Sequence, residues 1–92
     1  MEQKKEVKIN IKADDKTAQG TYSNNHLIHM THDEFVFDFL NVIPPHATLN
    51  ARIVVSPVHF KRLVGTMSET IKKYESEFGT IELPKKAEES IQ

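Results

Sequence analysis

The hydrophobic period changes once along this chain, at Ser56-Pro57, and that change limits the folds open to it. Before it, apolar residues recur at every second position, the period of a strand; after it they recur at every third or fourth, the period of a helix.

"VKINIK" places Val7, Ile9 and Ile11 on one side and Lys8, Asn10 and Lys12 on the other, which predicts a half-buried strand. "ADDKTAQG" is polar and ends in glycine, and reads as a connection. "TYSNNHLIHMT" predicts a weaker strand, with Tyr22, Ile28 and Met30 on one parity and Leu27 on the other. "FVFDFLNVI" is the most β-prone stretch. Phe35, Phe37, Phe39 and Ile43 share one face, and Val36, Leu40 and Val42 share the other, interrupted by Asp38. Apolar residues on both faces predict a central strand. "PPH" ends it, and "ATLNARIVV" supplies the next strand through Leu49, Ala51, Ile53 and Val55.

After the switch, Ser56 is a favoured N-cap and Pro57 a favoured first helical residue. Phe60, Leu63, Val64, Met67, Ile71, Tyr74 and Phe78 then fall on one stripe, expected to be the buried face of a long amphipathic helix that Gly79 caps. "TIEL" is expected to be a short terminal strand or a tail.

The predicted fold is α+β: an antiparallel meander of about four strands with one long C-terminal amphipathic helix packed on one face. The predicted organisation is a flexible N-terminus over 1–6, a single α+β domain over 7–83, and a flexible polar tail over 84–92. One helix covers one face. Val36, Leu40 and Val42 are therefore expected to lack a lid and to form a partner interface, from another protein or a second copy. Lys61, Arg62 and Gly65 are added to that candidate interface. The first two are basic on the helix's polar side; the glycine is expensive in a helix interior unless another backbone approaches it.

His26, His29 and His32 invite a metal reading, but strand parity sends His29 to the opposite face. His26 and His32 are also about 20 Å apart at ~3.3 Å per residue, far beyond one ion's reach. They are expected to be polar positions on a hairpin, with His32-Asp33 at its turn. Asp38 is expected to pair with Arg52 on the neighbouring strand, because a buried charge needs a partner. No phosphate loop, nucleophile elbow or dinucleotide fingerprint occurs, so no catalytic residue, cofactor, metal or small-molecule substrate is expected. Net charge is -1 and there is no cysteine. The first argues against tight nonspecific nucleic-acid binding. The second fits a cytoplasmic protein, and no apolar run suits a membrane or a signal peptide.

"HDEFVFDF", "ARIVVSPVHFKRLVGTMSETIKKYESEFG" and the polar tail after them together resemble a family of small bacterial and archaeal proteins, domain of unknown function 3467. The shared elements are Asp33 to Phe39, Arg52 to Pro57, Lys61 to Leu63, and Tyr74-Glu75 with Phe78-Gly79. The resemblance carries over no catalytic residue. Genes of this type often lie beside those for the large RNA polymerase subunits in some bacteria. The implied function is therefore a non-enzymatic small accessory protein associated with RNA polymerase and transcription. The alternatives from element order are a nucleic-acid-binding module similar to Whirly-type single-strand binders, and a chaperone module similar to SecB.

Overall fold

A computed structural model describes residues 7–84. Three strands form one antiparallel sheet in the order β1 (Asn25–Met30), β2 (Phe35–Ile43), β3 (His46–Val55). A short helix α1 (Asp15–Gln19) precedes them and a long helix α2 (Pro57–Phe78) follows. The chain is α+β, with β2 central as its two-sided apolar pattern predicts.

The sheet has three strands rather than about four. Val7–Lys12 alternates correctly but takes no regular structure, and Val7, Ile9 and Ile11 are all exposed. Alternation makes a segment fit for a half-buried sheet position, yet a strand also needs a neighbour's edge to pair with. The polar stretch after it hides an element of its own: Asp14 caps α1 by accepting from the Thr17 backbone N–H at 2.8 Å, and Gly20 closes it at φ 87°. "TIEL" joins no strand. The expectations for residues 1–6 and 85–92 lie outside the described residues.

Both hairpins follow from local chemistry. Between β1 and β2, the Thr31 hydroxyl accepts from the backbone N–H groups of Asp33 and Glu34, and the Thr31 N–H donates to the Glu34 carbonyl at 2.9 Å. His32 and Asp33 occupy the exposed turn, as expected. Between β2 and β3, only Pro44 and Pro45 separate the strands. Two side chains extend the ladder. Asn24 uses both ends of its amide on the Val42 backbone, accepting from N–H at 2.8 Å and donating to C=O at 3.1 Å. Asn50 is the extra residue of a bulge, since Phe39 pairs with Ala51 but Leu40 with Leu49. Its amide donates to the Tyr22 carbonyl at 2.7 Å.

α2 starts and stops where its caps dictate. The His59 N–H donates to the Ser56 hydroxyl at 3.1 Å, Pro57 opens the first turn, and Gly79 ends it at φ 99°. Its relation to the sheet differs from the expectation of a helix lying across one face. Only its beginning is anchored: the Phe60 ring lies flat on Phe35 (centroids 3.9 Å, planes 2° apart) and tilts over Phe37 at 5.5 Å. No residue of α2 is buried. The radius of gyration, 17.3 Å, exceeds the roughly 12 Å of a compact domain of this length. Among the described residues, the apolar side chains that are buried rather than half-buried are Phe37 and Leu40, 7 % and 8 % exposed.

Candidate partner-binding surface

The sequence-predicted interface separates into two parts. Val36 and Val42 are half-buried and Leu40 is buried, so that face of β2 is substantially closed within the chain. Asp38 shares the face and is 3 % exposed. Arg52, opposite it on β3, donates from Nε and Nη2 to the two carboxylate oxygens at 2.6 and 2.9 Å, the expected pair in its bidentate form. His29 on β1 approaches the same carboxylate, Nε2 to Oδ2 3.6 Å. The polar cluster spans all three strands. Among the described residues it leaves no buried side-chain donor or acceptor unpaired.

The Arg52 guanidinium holds the Asp38 carboxyl below the ordinary carboxylate range; burial pushes the other way and loses. A carboxyl whose pKa is lowered by folding stabilises above its unfolded value of about 3.9, and that contribution disappears as pH falls through the lower, folded value. Asp38→Asn is therefore expected to lower Tm at pH 7 by at least about 4 °C, the shift that loss of one modest interaction causes in a domain this small. It should also flatten the acid limb of a Tm-against-pH curve. Equal acid limbs for variant and wild type would remove Asp38 from the account.

Lys61, Arg62 and Gly65 are exposed on α2. Nothing lies within 4 Å of where a Gly65 Cβ would stand, so the chain itself makes no close approach there. Gly65→Ala is expected to stabilise by up to about 1 kcal/mol through helix propensity, read from a urea melt. A loss instead would reveal a partner against that position.

A face that the helical periodicity predicts to be core is open. Val64, Met67, Ile71, Tyr74 and Phe78 are all exposed along α2, Ile71 by 50 % and Phe78 by 71 %. The segment after the helix turns back beside them: the Ile81 N–H donates to Glu75 Oε2 at 2.9 Å. Ile81 then makes one wall of a shallow apolar groove of about 450 Å³, with Met67, Ile71 and Tyr74 in its lining. On the sheet, Ile28 and Ile53 flank Phe37 in register and are also exposed, so the open apolar surface runs from β1 and β3 past Phe60 onto the helix. The signal was present as periodicity, which reports that a face is apolar without saying which chain covers it.

The three histidines stay apart. His26 pairs with Phe39, His29 turns to Asp38, and His32 Nδ1 lies 2.9 Å from Asp33 Oδ1 in the turn. Among the described residues no three His, Cys, Asp or Glu side chains are grouped to hold a metal ion. No helix among them is long and apolar enough to cross a membrane.

A three-stranded meander with a projecting, half-bare helix defines a small α+β protein whose most distinctive surface is apolar and non-polar-lined rather than a cleft of reactive groups. The chain belongs to the family described as "Protein of unknown function (DUF3467)", which matches residues 1–83. No curated protein and no solved structure matches it.

Proposed function

We propose that this is a non-enzymatic accessory protein that works by binding other protein chains in the cytoplasm, and that RNA polymerase is its larger partner. The apolar surface left open along α2 and beside Phe37 supports the binding part of the reading. Contiguous apolar patches of this kind on a soluble chain usually mark an interface. The buried charge, Asp38, is taken up by Arg52 and His29, as in a structural pair. Polymerase enters through the family resemblance, not through any single residue.

Purified full chain mixed with purified RNA polymerase is expected to co-migrate with it at a fixed stoichiometry that survives moderate salt. Failure to co-migrate at any salt would remove polymerase as the partner. A shift of single-stranded DNA that weakens steeply with salt would favour direct nucleic-acid binding instead. That alternative and the chaperone one were drawn from an order of four strands before the helix, whereas three precede it here.

A further inference from the structure

The exposed stripe on α2 has a finer pattern than amphipathicity requires. Phe60, Val64, Met67, Ile71, Tyr74 and Phe78 follow one another at spacings of four, three, four, three and four. That is an unbroken 3.5-residue repeat, the seam of a coiled coil, with Val64, Ile71 and Phe78 at a and Phe60, Met67 and Tyr74 at d. A globular helix packing on its own sheet has no need of that narrow register, and this helix does not so pack beyond Phe60 and Leu63.

We infer that the occupant of the seam is a second copy of this chain, with the two α2 helices antiparallel about a two-fold axis near Glu69. The inference rests on the protein-binding reading above and names one of the bound chains. In an antiparallel pair each a residue meets a d residue. About that axis Phe60 meets Phe78, Val64 meets Tyr74, and Met67 meets Ile71, so every seam residue finds an apolar mate and none overhangs. The groove along Met67, Ile71 and Tyr74 lies at the centre of the pair.

Charge selects this direction over the parallel one. The first half of α2 carries Lys61 and Arg62 with no acid; its second half carries Glu75 and Glu77 at the positions flanking the seam, with Lys72 and Lys73 at b and c, away from it. Flanking positions set helix orientation in coiled coils. An antiparallel pair sets Lys61 of each copy beside Glu75 of the other, twice over; a parallel pair stacks like on like. The antiparallel pair also brings Phe78, 71 % exposed in one copy, to the Phe60 end of the other. There Ile28 and Ile53 leave the sheet face open. One arrangement thus covers the helix stripe and leaves most of the Ile28–Ile53 sheet face free for a further chain.

Sedimentation of the full chain is expected to show a dimer. Ile71→Glu, at a position half exposed in the single chain, should weaken dimerisation roughly 30-fold or more, as a central interface residue does. Because losing its mate frays α2, a second pair of variants keeps every seam residue and alters flanking charges, with a melt of the Glu75 variant to separate loss of its bond to the Ile81 N–H from loss of pairing. Lys61→Glu/Arg62→Glu and Glu75→Lys/Glu77→Lys should each self-associate more weakly than wild type, and their equimolar mixture should regain wild-type affinity. A monomeric wild type overturns the inference, as does a dimer indifferent to Ile71→Glu. Variants that each self-associate as well as wild type put the helices parallel and also overturn it. A monomer that still co-migrates with polymerase would sink the dimer and leave the functional reading standing; a dimer that does not would do the reverse.

Discussion

Phe37→Ala is expected to unfold the domain. Phe37 is at the middle of the central strand, 7 % exposed, with its ring 5.6 Å from Phe39 and 5.5 Å from Phe60. Truncating a buried phenylalanine costs about 3–5 kcal/mol. Whole domains are stable by only ~5–15 kcal/mol, and among the described residues Leu40 is the one other apolar side chain buried with it. Its partners in register, Ile28 and Ile53, are themselves exposed, so closing the gap would require the Phe39 and Phe60 rings to shift. Circular dichroism at 25 °C should show loss of the sheet signal, and a urea melt should lack a native baseline. A cooperative melt within 1 kcal/mol of wild type would mean that Phe37 is not the centre of the core.

The second large effect is expected at the joint. Phe60 is the ring through which α2 grips the sheet, flat against Phe35 and tilted over Phe37. It is half-buried, so Phe60→Ala should fall at or below the lower end of the same range, about 2–3 kcal/mol. Its distinguishing signature is positional. Amide exchange should rise at Phe35–Phe39 and in the first turns of α2, while the β1–β2 turn held by Thr31 stays protected. Uniform loss of protection through the chain would show that the ring holds the whole sheet together rather than one joint.

Local chemistry was the part of this fold that sequence made legible. The caps of α2, the central place of β2, the turn at His32-Asp33 and the Asp38–Arg52 pair each depend on residues close in sequence or on adjacent strands, where pattern translates directly into geometry. The misreadings came from a single source, the question of what an apolar face rests against. Val7, Ile9 and Ile11 have the alternation of a strand but pair with neither outer edge of the sheet; the α2 stripe has the pattern of a buried face and no sheet beneath it after Phe60 and Leu63. Leu40 has the opposite fate: expected to be open, it is 8 % exposed. Periodicity fixes the direction of a side chain and is silent on the identity of the covering surface. Of the candidate interface, Val36, Leu40 and Val42 accordingly lie on a largely closed face of β2, whereas Lys61 and Arg62 lie on the helix that carries the exposed apolar stripe.

One residue, Ser56, separates the last residue of β3 from the first of α2. So short a hinge gears the two elements together, because the helix inherits its starting angle from the strand and from the Ser56 cap. Adding a helical residue there would pull Phe60 off Phe35, rotate the seam by about 100° and advance it by ~1.5 Å relative to the sheet. Two added residues would carry it nearly to the far side, and a match with its former position would return only after about seven. Insertions at this junction thus act as a dial for the angle between sheet and seam, whereas the same insertions after Gly79 would leave that angle untouched.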